Sequence, residues 1–282
     1  MVLRSRRGVL QLGGATLALL AGCTSNSNLE NRSTTPATDT PTTTSSTTTS
    51  RPTTTDSGDV TVENVRATPA LVAPNTPDSI STLGERDEQF VLATVAGYGM
   101  SIPDRDKFVL ETTVDSYPPV DKSFVYALWD DEDGYTSIPD DPLIFSVPKP
   151  LNATELSLRW PDGDFAVDEA LIQTLTRPPT DFVTELSAPK SVTRGYEASV
   201  TLTVENTGSV AGTFVGALNR VGPNVAYTPV TGISLEIAAG ESETWTHSYA
   251  PSPHSTDDDP AATFHLNWRG GRQSKIIDVE PV

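Results

Sequence analysis

From Val200 onward the chain alternates between apolar and polar residues. Val200, Leu202 and Val204 sit between polar neighbours, Glu205-Asn206-Thr207-Gly208 offers a turn, and Gly212-Thr213-Phe214-Val215 begins a return. Ile233, Leu235 and Ile237 repeat the pattern before Ala238-Ala239-Gly240-Glu241, and Trp245, His247 and Tyr249 share one face of the next segment. Phe264, Leu266 and Trp268 alternate again, and Ile276-Ile277-Asp278-Val279 closes the series. A period of two places successive side chains on opposite faces of a strand, so each segment predicts a strand with one buried face. About seven such strands in roughly 100 residues predict an immunoglobulin-like β-sandwich over residues 179–282.

Upstream the apolar segments are shorter and denser. Phe90 to Val95, Phe108 to Leu110, Phe124 to Trp129, Leu143 to Val147 and Leu156 to Trp160 have strand length and are separated by Gly, Pro and Asp clusters. They predict a second β-sandwich over 59–178, with one short helix at Asp168 to Leu175. Pro178-Pro179 punctuates the chain at the boundary. The fold class is therefore all-β, two immunoglobulin-like sandwiches in series.

Before the sandwiches the pattern is different in kind. Residues 1–22 run from a basic stretch (Arg4, Arg6, Arg7) through an apolar one to small residues, the layout of an export signal. The apolar part is too short for a membrane-spanning helix, which needs about 20 residues. Residues 23–58 are nearly all Thr, Ser, Pro and Asn. They have little to bury against the entropy of ordering, so they predict a disordered stalk.

Ser5-Arg6-Arg7-Gly8-Val9-Leu10 resembles the twin-arginine export signal, with Arg6 and Arg7 as the paired arginines. Leu20-Ala21-Gly22-Cys23 resembles the lipobox of prokaryotic lipoproteins. That resemblance implies a lipid on Cys23, cleavage before it, and a chain held at the extracellular face of the cell membrane. Leu143-Ile144-Phe145-Ser146-Val147-Pro148 followed by Leu156-Ser157-Leu158-Arg159-Trp160 resembles the telokin-like, immunoglobulin-like domains of unknown function. Here Gly97-Tyr98-Gly99 stands where that family has an Asn-Thr-Gly turn. Val204-Glu205-Asn206-Thr207-Gly208 with Ile237-Ala238-Ala239-Gly240-Glu241 resembles the adhesion-related immunoglobulin-like domains of bacteria and archaea, which implies attachment or scaffolding and no catalytic residue.

Charge narrows the partners. The formal net charge is −18, and without the three arginines of the leader 16 cations face 37 acids, a net of −21. This balance resembles that of salt-loving archaea, whose high ionic strength screens carboxylate repulsion. A field of that sign disfavours nucleic acid and anionic headgroups. Cys23 is the only cysteine, which excludes an internal disulfide and any thiolate site in the folded part.

Candidate chemistry is sparse. Of the three histidines, His247 lies on the Trp245 and Tyr249 face, His265 opposes Phe264 and Leu266, and His254 lies in a loop; no metal spacing joins them. Asp130-Asp131-Glu132-Asp133-Gly134 makes Asp131 and Asp133 candidate Ca²⁺ ligands, although the run departs from the calcium-hand spacing. Trp129 and Tyr135 flank it as candidates for an exposed sugar-stacking platform, whereas Trp160 and Trp268 fall on core faces. Asn31 and Asn152 fit the N-glycosylation acceptor pattern. No phosphate loop, nucleophile elbow or zinc-protease segment occurs.

No cofactor is implied. The leading expectation is a non-enzymatic, lipid-anchored surface protein that meets another surface protein or a polysaccharide in adhesion or envelope scaffolding. The alternatives are a ligand- or glycan-binding accessory module and, less favoured, a hydrolase whose site is assembled in space.

Overall fold

Phe90-Val91-Leu92-Ala93 is apolar at every position because the strand that carries it is covered on both faces. The computed structural model describes residues 60–76, 78–97, 102–120, 142–223, 225–253 and 261–282. All of them belong to one compact unit. The strands of its first half are β1 (Val60–Thr68), β2 (Leu71–Thr76), β3 (Ser79–Leu83), β4 (Glu88–Gly97), β5 (Val109–Thr112), β6 (Ser116–Tyr117), β7 (Leu143–Pro148), β8 (Leu156–Trp160) and β9 (Gly163–Ala166). Helix α1 (Glu169–Leu175) follows. The second half holds β10 (Phe182–Ser187), β11 (Ser191–Thr193), β12 (Ala198–Asn206), β13 (Gly212–Val221), β14 (Thr228–Ile237), β15 (Ser242–Tyr249), β16 (Ala261–Trp268) and β17 (Gly271–Glu280).

The first sandwich faces a sheet of order β1-β4-β7 onto one of order β6-β5-β8-β9. Val91 and Ala93 of β4 and Phe145 and Val147 of β7 meet Leu110, Leu158 and Trp160 across the core. Phe108 and Trp160 lie 6.0 Å apart between ring centroids. Helix α1 closes one end with Ile172 and Leu175. Its start is fixed as the sequence predicts: the Asp168 carboxylate accepts from the Ala170 N–H at 2.7 Å, satisfying one of the orphan donors of the first turn.

The second sandwich faces β10-β12-β15 onto β11-β17-β16-β13-β14. Val200, Leu202 and Val204 point into it from one sheet, Phe214, Leu218, Phe264 and Leu266 from the other. The two turn motifs of the sequence interlock around one buried side chain, Asn206. Its amide nitrogen donates to the Val210 and Ile237 carbonyls, both at 2.9 Å, and its amide oxygen accepts from Gly208 N at 2.9 Å. The Asn206 main chain completes the tie, accepting from Gly240 N and donating to Glu241 O.

Between the sandwiches lies an element that the sequence reading passes over, the β2–β3 hairpin. Leu71 and Ala73 pack against Phe90, Leu92 and Ile144 on the outer face of β4 and β7. Alternate residues Val72 and Ile80 turn the other way, onto Val215 and Ala217 of β13. The hairpin is thus buried on both faces, and the layers run sheet, sheet, hairpin, sheet, sheet. The Asn219 side chain acts as an extra rung between β13 and the hairpin, accepting from Ile80 N at 2.8 Å and donating to Ile80 O at 2.9 Å. A buried main-chain pair that meets no neighbouring strand is satisfied by one amide group of matching geometry.

Candidate functional site

At the junction of the two halves, beside the hairpin, a cleft of about 50 Å³ gathers side chains from distant parts of the chain. Its floor is Gln89 of β4, a polar residue only 2% exposed. The Gln89 amide nitrogen donates to Pro148 O at 2.7 Å and Leu175 O at 2.8 Å, joining the end of β7 to the C-terminus of α1. Its oxygen accepts from the Lys149 ammonium at 3.0 Å. Arg177, just past α1, and Arg269, on the turn between β16 and β17, also line the cleft. Arg269 reaches across the junction and donates to the carbonyls of Pro69 at 3.0 Å and Glu85 at 2.9 Å. At the rim Arg86 of the first half and Asp181 of the second make a two-pronged ion pair.

Burial is the main cause that brings the Lys149 ammonium from the usual 10.5 down to about 8, with Arg269 and Arg177 adding like-charge repulsion. Burial also lowers the hold of Arg269 on its proton, opposed by Asp181, Glu85 and Asp87. The sign for stability follows directly. The folded pKa of Lys149 is depressed, so its charge costs stability at every pH below about 8 and the cost is relieved as pH rises toward 10.5. Relative to a Lys149→Met chain, the parent is expected to gain about 1–2 kcal/mol between pH 7 and 10.5, after discounting for partial exposure. Urea titrations at a series of pH values check this, and parallel stability profiles for the two chains would contradict it.

The residues singled out by sequence are not brought together here. Cys23, Arg6, Arg7, Asn31, Asp131, Asp133, Trp129, Tyr135 and His254 lie outside the described residues. Asn152 is exposed in the loop between β7 and β8. His247 lies on the inward face expected of it, its ring stacked on Trp245 at 6.1 Å, and burial and Arg220 lower its proton affinity. His265 points away from that core, bonds Ser274 Oγ at 2.8 Å and stacks on Tyr227. This Ser–His contact joins directly opposed residues of an antiparallel ladder. A catalytic set would turn the other ring nitrogen to the serine and keep Nδ1 for a carboxylate. The lowered proton affinity of His265 has burial as its cause, without a carboxylate contribution. Trp160 is core as expected, and Trp268 packs at the edge of the second core.

Among the described residues no group of three or more His, Cys, Asp or Glu side chains is placed to hold a metal ion. Among them, too, no helix is long and apolar enough to cross a membrane. Sequence reasoning missed Gln89, Lys149, Arg177 and Arg269 because they are separated by up to 180 positions and carry no spacing signal. The one available hint was scarcity, since Lys149 is one of only five lysines.

The class that this geometry defines is an all-β protein of two face-packed sandwiches. No protein-family model matches the chain, and no curated protein matches it. Solved structures similar to part of it include a β-glucosidase from Listeria innocua in complex with isofagomine, at 16% identity over 36% of this chain and 17% of that one, TM-score 0.31. Another is the CARDB domain of the PF1109 protein from Pyrococcus furiosus in complex with di-metal ions, at 13% identity over 36% of this chain and 96% of the domain, TM-score 0.30. A β-glucosidase from Erythrobacter marinus is similar at 15% identity over 36% of this chain and 15% of its own, TM-score 0.30. This chain thus spans about a sixth of the β-glucosidases it resembles, and the likeness covers about a third of its own length.

Proposed function

We propose that the chain is a non-enzymatic surface module, tethered to the outer face of a membrane by lipid on Cys23 after twin-arginine export and presenting a rigid double sandwich to partners outside the cell. The observation that carries this reading is the two-faced hairpin. Val72 and Ile80 are buried against Val215 and Ala217, so the two sandwiches are joined through one apolar cluster. A stiff body at the end of a Thr/Ser-rich tether suits presentation or spacing at an envelope. The acidic balance of the chain adds an affinity for a high-salt exterior and keeps like-charged surfaces apart.

The tether is testable apart from the fold. Expressed in an archaeal or bacterial host with lipoprotein processing, the parent chain is expected in the membrane fraction. A Cys23→Ser chain is expected in the medium or soluble fraction, with unchanged circular dichroism. If the serine variant stays with the membrane after its leader is removed, the lipid anchor is wrong. Replacing Arg6 and Arg7 by Lys is expected to leave the precursor inside the cell, which separates export route from anchoring.

A further inference from the structure

The chain carries 37 acidic residues, yet the half-buried Lys149 ammonium has a neutral amide oxygen as its acceptor. Arg177 and Arg269 stand close enough to repel it. Among the described residues neither Lys149 nor Arg177 makes an ion pair, and neither does Glu236, the carboxylate that lines the cleft from β14. Lys149 and Arg177 thus converge beside Arg269 without an ion-pair partner of their own among the described residues, an electrostatic cost that a bound anion would reduce. The ammonium has three donors and Gln89 uses one. The hydroxyl residues Thr180 and Thr213 line the same space. At about 50 Å³ the cleft is far below the size of a drug-like ligand site and fits one small group.

We propose that this cleft is a binding site for a single small oxyanion of the sulfate or phosphate class, held by the Lys149 ammonium and the Arg177 guanidinium beside Arg269. The site is independent of the lipid tether and stands or falls without it. Bound anion favours the charged form of Lys149, so binding draws a proton onto the ammonium at alkaline pH and weakens as pH rises past about 8. The groups that face Lys149 are Gln89 on β4, Arg177 after α1, Arg269 from the β16–β17 turn, Glu236 from β14 and the main-chain carbonyl of Asp87, which accepts from Lys149 N at 2.8 Å.

The test is an NMR titration of the full chain carrying Cys23→Ser, with sodium sulfate and then sodium phosphate, ionic strength held constant with sodium chloride. Thermal melts would not discriminate, since excluded sulfate stabilises folded proteins in general. Saturable shifts are expected at the Lys149, Arg177 and Thr213 amides. Affinity is expected to fall about tenfold or more in Lys149→Met, the loss of one charge-assisted contact. Sulfate, whose charge is constant, is expected to bind several-fold more weakly at pH 9.5 than at pH 7. Arg177→Gln supplies a second variant should the first not fold, and is expected to weaken binding in the same direction. Shifts that rise linearly without saturation, or affinities equal in parent and variants, overturn the proposal.

Discussion

Replacing Val72 with Asp is expected to unseat the β2–β3 hairpin and separate the two sandwiches. Val72 is fully buried between Val215 and Ala217 on one side and its own hairpin on the other. The substitution forfeits about 1.5–3 kcal/mol of apolar burial and adds the several kcal/mol of an unpaired buried carboxylate. For a folded unit of this size, a loss of about 5 kcal/mol lowers the melting midpoint by roughly 10–20 °C. Calorimetry is expected to show two transitions for this chain and one for the parent, because among the described residues no other apolar cluster joins the two halves. Small-angle scattering should record a more extended particle. A milder companion is Asn219→Ala, which leaves the buried Ile80 N–H and C=O without partners and is expected to cost about 2–4 kcal/mol. A Val72→Asp chain that melts in one step near the parent midpoint would show that the hairpin is not the coupling element.

The second large effect belongs to Asn206. An Asn206→Ala chain loses two donated bonds and one accepted bond at a fully buried site, leaving the Val210 and Ile237 carbonyls and the Gly208 amide to find other partners. With net values near 1 kcal/mol per bond and more for each buried orphan, the expected loss is about 3–4 kcal/mol. Asn206→Asp is the sharper control. It keeps the shape and the acceptor for Gly208 but replaces both donors with charge facing two carbonyls, so it is expected to be at least as damaging at neutral pH. Denaturant midpoints measured with unchanged slopes check both substitutions. Equal stability of the Asp variant and the parent would mean that the turn is held by its main chain alone.

Legibility in the sequence followed burial. Where a strand has one wet face, as in β12 and β15, the alternation of Val200, Leu202 and Val204 or of Trp245, His247 and Tyr249 announced both the strand and its inward side. The short helix expected at Asp168 to Leu175 is present as α1, with Asp168 as its cap. The hairpin gave no such rhythm, because Ala70 to Ala73 are buried on both sides and a short continuous run does not tell strand from other buried backbone. The same two-sidedness explains Phe90 to Ala93: the run predicts a strand, and its lack of alternation reflects the hairpin layered outside the sandwich. Asn206 was legible as a turn residue and not as a buried clasp, since the partner that makes it one, the Ile237 carbonyl, lies on a strand 31 positions away. The cationic cleft was illegible for a related reason. Gln89, Lys149, Arg177 and Arg269 become neighbours only after five layers stack.

The two-faced hairpin also bears on how divisible this molecule is. By chain connectivity it belongs to the first half, yet it roofs Val215 and Ala217 of the second. A cut in the linker near Pro178-Pro179 would therefore yield an N-terminal piece with an unpartnered hairpin face. The C-terminal piece would carry a bare apolar strip along β13, where an added strand from another molecule could settle. Neither half is a portable module. Shuffling or grafting that respects the fold must carry the segment from Ala70 to Leu83 along with the C-terminal sandwich, even though about 100 residues of chain separate them.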